Sequence, residues 1–376
     1  MIKVKSVTCY AGICVSLAVL SGCAGPVTKP AAIDQAALKQ EAEKQQEIVL
    51  QEQLKTLGRL QRVALPILRA ATPLCKEQVA WRIGAWFATK DDFPKERQVA
   101  AANLLKMDDK VRVRMVADGS PAAVAGLMAG DEIVSVNART PPTSGRIVEG
   151  FTNMLNEELK TGSQIKFIVN RAGSGRDIAI SPERLCAYPA NLVENDEVNA
   201  FADGSSININ AGMMRFAADD RDLAVVIGHE LSHNVMGHVT KKKVNAAVGL
   251  VVDILIAAAT GINDQGAFSN AGAAAYSQEF EAEADYVGLY AVALANIDID
   301  SAPNFWRKMA AINSGSIQKS YNASHPSTPE RFLHMEQTVA EIKSKRSQGL
   351  ALTPEFKPST PTSSTTTPTG IGFAPH

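Results

Sequence analysis

The chain lacks a charge imbalance: 38 Lys and Arg stand against 39 Asp and Glu in 376 residues, a formal net charge of −1. No basic block is long enough to point to a nucleic-acid partner. Lys241, Lys242 and Lys243 form a short cluster, which we read as capping the C-terminal end of a helix, where positive charge is favoured. An uninterrupted apolar run of the ~20 residues that span a bilayer is also missing. The run "VNAAVGLVVDILIAAATGI" is broken by Asn245 and Asp253, so it reads as a buried or interfacial helix and not as a crossing. Cysteine is scarce, with five. Histidine is nearly so, with six, yet three of them fall within ten positions of "VVIGHELSHNVMGH", residues 225–238.

The N-terminus sets the expected compartment. "MIKVK" is positive, the following apolar stretch is short for a span, and "LSGC" closes it. Small residues before Cys23 resemble a bacterial lipoprotein processing site. This implies a signal peptide over 1–22, a mature chain lipidated at Cys23, and a tether over 23–32. Ala24, where Asp would retain the chain, points to the outer membrane, with the body facing the periplasm. In that oxidising space Cys75 and Cys186 are candidates for a disulfide.

Residues 33–78 read as a long helical segment, with Leu50, Leu54, Leu57, Val63 and Ile67 at helical spacing. Pro66 is expected to kink or end that helix. Residues 79–185 centre on "VADGSPAAVAGLMAGDEIVSVNAR". Gly-Ser-Pro turns the chain, an Ala-rich helical turn follows, and Gly130-Asp131 leads into an alternating strand. The stretch resembles a PDZ domain of the protease-associated type. That resemblance implies a peptide-binding loop at Ile83, Gly84, Ala85 and Trp86, though "RIGAWF" departs from the usual Gly-Leu-Gly-Phe form. Residues 186–345 form a third unit, and 346–376 read as a Pro/Thr/Ser-rich disordered tail.

The third unit carries the chemistry. On a helix, His229 and His233 share a face and can hold one metal ion, and Glu230 stands beside the first to act on an attacking water. His238 lies nine positions after His229, about half a turn off that face. The pattern with a later histidine ligand would need Gly at 236 and His at 239, where this chain has Met236 and Val239. His238 is therefore expected at a surface or a helix end. A third ligand should come from "QEFEAEAD", where Glu279, Glu281, Glu283 and Asp285 are candidates that spacing alone does not separate.

HExxH, then an apolar helix, then Ser277-x-x-x-Glu281-x-x-x-Asp285 resembles the HtpX-like and CAAX prenyl endopeptidase family of zinc metallopeptidases, of the gluzincin type. The resemblance implies one Zn2+ per chain held by His229, His233 and Glu281, with Asp285 orienting a ligand histidine. "NAFADG", Asn199 to Gly204, resembles the family's strand before the active-site helix, an edge expected to pair with substrate. The substrate is expected to run along Ile207, Asn208, Ile209, Asn210 and Ala211. "SHPSTPER" resembles the family's later segment. There His325 either stabilises the oxyanion or occupies the open zinc position, and Arg331 anchors the loop to a carboxylate. The expected fold is α+β: a mostly helical HExxH peptidase domain with a small sheet, an inserted PDZ-like β domain and an N-terminal helix. The expected function is a membrane-anchored zinc metalloendopeptidase acting on unfolded or misassembled envelope proteins. The alternative is a lipid-tethered PDZ adaptor or chaperone with a structural or latent zinc site.

Overall fold

The computed structural model describes residues 28, 30–260, 270, 277–312, 325 and 328–357. Cys23, the signal stretch and the end of the tail lie outside the described residues. The chain divides into two units, Met1–Ala42 and Glu43–His376. In the first, Asp34 opens helix α1 (Gln35–Ala70) by accepting from the backbone N–H groups of Ala36 and Ala37 at 3.0 and 3.2 Å.

The fold is mixed α+β. Helix α1 does not end at Pro66 but runs on to Ala70. Proline removes one N–H bond, while Leu65, Ile67 and Leu68 around it are buried and hold the last turn by packing. A short helix, α2 (Thr72–Cys75), follows. Strand β1 (Val79–Arg82) then pairs antiparallel with β7 (Glu183–Cys186), Val79 opposite Cys186. Cys75 and Cys186 are joined by a disulfide with their Cα atoms 5.7 Å apart. The strand pair and the bridge bring together the two ends of everything between them.

Between those ends, β2 (Ala85–Ala88), β3 (Arg112–Val116), β4 (Glu132–Val136), β5 (Ile165–Arg171) and β6 (Ser174–Ile180) make an antiparallel sheet in sequential order. Two further helices, α3 (Gln98–Leu105) and α4 (Pro121–Val124), connect strands, and Ser120 caps α4 by accepting from the Ala123 N–H. Helix α5 (Ile147–Leu159) packs its apolar stripe, Phe151, Met154, Leu155 and Leu159, on this sheet. Phe87, Phe151 and Phe167 meet in that core, with Phe87 edge-on to Phe151 at 4.8 Å.

A second core lies under α1 and the C-terminal helices. Strand β8 (Ala190–Val193) is parallel to β10 (Ile207–Asn210), which is antiparallel to β9 (Ala200–Ala202), in the order β8-β10-β9. Helix α6 (Ala211–Phe216) leads to α7 (Asp220–Val235), then α8 (His238–Thr260), α9 (Ser277–Leu294), α10 (Ala302–Ile312) and α11 (Pro329–Ser347). Among the described residues no helix is long and apolar enough to cross a membrane.

Two glycines position the site. Helices α7 and α9 cross where Gly228 faces Gly288. A Cβ on Gly288 would lie 2.9 Å from the backbone C and O of Gly228 and from the N of His229. Only hydrogen side chains allow so close an approach. The crossing falls one residue before His229, so the turns of α9 that carry Glu281 and Asp285 lie against the metal-ligand face of α7.

Candidate metal centre

One ligand atom from each of His229, His233, Glu281 and His325 lies within 4.8 Å of the others. The Nε2 atoms of His229 and His233 are 3.1 Å apart. Glu281 Oε2 lies 3.2 Å from His229 Nε2 and 2.8 Å from His325 Nδ1, and Oε1 lies 3.5 Å from His233 Nε2. The first three side chains are almost fully buried. Glu281 faces this cluster and is wholly shielded from solvent.

Asp285 sets the tautomer of His229. Its carboxylate accepts from His229 Nδ1 at 2.9 Å, so in the neutral ring the lone pair lies on Nε2, directed into the cluster. Arg331 holds Asp285 from behind through Nε (2.7 Å) and a terminal nitrogen (2.9 Å), both groups buried. Trp306 of α10 walls the site, 4.9 Å from the His229 ring, with the Arg331 guanidinium 5.2 Å over its face.

The electrostatics ask for a cation. Burial opposes charge on His229, but its bonds to Asp285 and Glu281 outweigh this and push it up to about 9. Burial pushes His233 down to about 4, the neutral form a metal ligand needs. Burial also disfavours the Glu281 carboxylate, yet the charge of His325 and the bond from His229 hold it well below the usual range. Glu281 Oε1 and Glu230 Oε2 are buried and accept no hydrogen bond from the described residues. Nitrogen and carboxylate lone pairs turned towards one another repel unless a proton or a metal cation lies between them. The donor set, three imidazole nitrogens and one carboxylate, suits zinc.

Glu230 is buried beside the cluster, its Oε1 3.6 Å from His325 Nε2. His325 also lies 3.4 Å from the carbonyl of Ala200 on β9. Asn234, on the turn after His233, ties α7 to the β9–β10 turn. It accepts from Gly204 N and donates to the Ser206 carbonyl, both at 2.8 Å.

Three sequence expectations need correction. Ile207–Asn210 form β10, which is paired on both sides and fully buried, and Ala211 opens α6. A substrate strand has no free backbone edge there; among the described residues the sheet's edge on this side is β9. His238 is not at the surface. It is 0% exposed, with Nδ1 2.9 Å from His233 Nδ1 and Nε2 2.7 Å from Glu283 Oε2. Counting 100° per residue fails because the helix stops at Val235. Gly237, at φ +67°, turns the chain into α8 and brings His238 back beside His233. That same break puts Lys241, Lys242 and Lys243 near the start of α8, not at a helix C-terminus. Lys242 lies 3.9 Å from Glu281, and Lys241 lies over the Phe280 ring.

Trp306 and Asn234 have no mark in the sequence, whereas Glu283 stood there only as one of four candidate ligands and His238 as a surface or helix-end residue. The glycine before His238 is the signal for its return to the site.

Ile83, Gly84, Ala85 and Trp86 line a mainly apolar cavity of about 340 Å³. Its other walls are Thr152, Leu155 and Leu159 of α5, and Leu65 and Leu68 of α1. Arg82 also lines it, and burial lowers the pKa of its guanidinium.

Residues 161–339, just under half of the chain, match peptidase family M48. The chain is 28% identical over 179 residues to the mitochondrial metalloendopeptidase OMA1 of Schizosaccharomyces pombe, covering 46% of this chain and 52% of that protein. It is 29% identical over 133 residues to the beta-barrel assembly-enhancing protease of Yersinia pestis, covering 32% of this chain and 27% of that protein. The matched region thus spans about half or less of these curated relatives. Among solved structures, the HtrA3 PDZ domain bound to a phage-derived ligand is similar over 28% of this chain and 88% of that one, with 24% identity and a TM-score of 0.21.

Proposed function

We propose that the chain is a zinc metalloendopeptidase that hydrolyses peptide bonds in envelope proteins. The observation that carries this is the meeting of the His229, His233 and Glu281 ligand atoms beside the buried carboxylate of Glu230. The match to peptidase family M48 and the similarity to two named proteases support it.

His229, His233 and Glu281 would hold the zinc, with Asp285 and Arg331 fixing His229. Zinc bound there supplies Lewis-acid polarisation of a peptide carbonyl and acidifies water. Glu230 takes the proton of the attacking water and passes it to the leaving amine as the C–N bond breaks. An extended substrate pairs with the β9 edge, beside Ala200, and not with β10. His325 lies beside that edge, and its ring nitrogen would be a fourth ligand to a metal held by the other three residues, which would close the site. This favours a second reading, a latent state that His325 must leave before substrate enters.

Within the proposal, residues 79–185 form a PDZ-like insertion whose cavity takes a peptide, with Arg82 as the cation for its carboxylate. Lipidation at Cys23 tethers the chain to the outer membrane, where unfolded or misassembled polypeptides are the substrates. The N-terminal sequence and the name of the Yersinia relative support that placement.

The test uses the full chain with unfolded casein and an envelope extract. Glu230→Gln should lose at least about 100-fold in cleavage while binding as much zinc as the wild type. Unchanged cleavage by the zinc-loaded variant refutes the mechanism. His325→Ala, run alongside, should raise cleavage, and no gain removes the latent reading. A wild type that binds unfolded clients without cutting them favours the adaptor.

A further inference from the structure

The two imidazoles of the HExxH helix are anchored differently. His229 gives its Nδ1 proton directly to Asp285. Among the described residues His233 has no carboxylate at its Nδ1; it meets His238 instead, and His238 in turn meets Glu283.

We propose that Glu283 and His238 form a relay that fixes the tautomer and ring orientation of His233. In this they are the counterpart, across one extra imidazole, of Asp285 on His229. The inference rests on the metal-site reading above.

A carboxylate only accepts, so at 2.7 Å from Glu283 the Nε2 of His238 is the donor. A neutral His238 then has a bare Nδ1. At 2.9 Å from it, His233 Nδ1 must carry the proton and donate. The Nε2 of His233 is thereby left with its lone pair facing His229 Nε2 and Glu281. Were the relay absent, a neutral His233 could place its proton on either nitrogen, and one of those tautomers cannot bind a cation.

Packing holds the relay in register. His238 is fully buried, and the Phe280 ring stacks on it at 4.6 Å and 17°. Gly237 supplies the left-handed turn that brings His238 back to His233. Glu283 is the outer end, its side chain 38% exposed, so it can be replaced without opening the core. Phe280 and Glu283 lie on α9, the helix that also carries Glu281 and Asp285, so one helix supplies a ligand and the anchors of both histidines. His238 and Glu283 are positioning residues and touch no reacting atom.

The experiment compares wild type, Glu283→Ala, Glu283→Gln and His238→Phe in the full chain. Zinc affinity is read by competition with a chromophoric chelator, and the His233 tautomer by 15N imidazole shifts of the zinc-free protein. Thermal melts check folding. We expect Glu283→Ala and His238→Phe to weaken zinc binding by about 10- to 100-fold, the usual cost of removing an outer partner of a ligand histidine. Glu283→Gln, which keeps an acceptor oxygen, should recover part of the loss. In the wild type the His233 proton should sit on Nδ1, and in Glu283→Ala it should distribute between the nitrogens. Zinc affinity within twofold of wild type in both Glu283→Ala and His238→Phe overturns the relay, as does an unchanged His233 tautomer. A wild type that binds no zinc refutes the metal reading instead, and the tautomer shift then decides the relay alone.

Discussion

Replacing Gly288 by Ala tests whether the α7–α9 crossing sets the metal-site geometry. The new Cβ would stand 2.9 Å from three backbone atoms, Gly228 C, Gly228 O and His229 N, none of which can rotate aside. Ordinary contact begins at 3.4 Å, so the two backbones must part by roughly half an ångström. Overpacking of this kind costs about 1–3 kcal/mol, against about 1 kcal/mol gained from the helix propensity of alanine. A net loss of up to about 2 kcal/mol lowers the melting temperature by up to roughly 3 °C in a protein of this size. The same displacement moves Glu281 and Asp285 away from His229, and zinc affinity should fall about tenfold. Gly58→Ala is the control. It also lies in a helix, but its Cβ would have nothing within 4 Å, so it should leave stability equal or higher by about 0.4–1 kcal/mol. The assay is a calorimetric melt with and without zinc, plus the chelator competition. A Gly288→Ala protein that melts at or above wild type with the same zinc affinity refutes the argument that this crossing is closed by backbone contact.

Two further outcomes follow from other parts of the fold. Asp203, despite partial burial, accepts bonds from Ser206, Ser205 and Asn208, and these hold its carboxyl below the ordinary value. A depressed folded pKa adds stability above the unfolded value of about 4 and loses it as pH falls through the folded value. The gap in urea midpoint between wild type and Asp203→Asn should therefore be widest near neutrality and shrink towards pH 2.5; a constant gap contradicts this. Cys75 and Cys186 are separated by 111 positions, so replacing both by serine should lower unfolding free energy by about 4–5 kcal/mol on chain-entropy grounds. Urea titration measures it, and a loss under about 1 kcal/mol would show that the bridge does not restrict the unfolded chain.

Local periodicity and type made much of this protein legible in advance. The long first helix, the hairpin around Asp203-Gly204, the turn at Gly130-Asp131 and the shared face of His229 and His233 all depend on residues close in sequence. Their geometry follows from repeats of 3.6 and 2 and from turn chemistry, which the chain carries openly. Selecting Glu281 from four acidic neighbours needed a family resemblance, because all four sit on one short helix and spacing treats them alike.

Tertiary structure decided the rest. Helical counting put His238 away from the site because it assumed an unbroken helix, and a single left-handed glycine changed its direction. Sequence marked Ile207–Asn210 as a strand, but whether a strand is central or at an edge depends on partners from elsewhere in the chain. The pairing of Asp285 with Arg331, the wall made by Trp306 and the approach of α7 to α9 join segments that lie tens of residues apart. Composition determines which groups can bind a cation. Only the packed chain determines which lone pairs face one another, since that requires every neighbouring backbone to be in place.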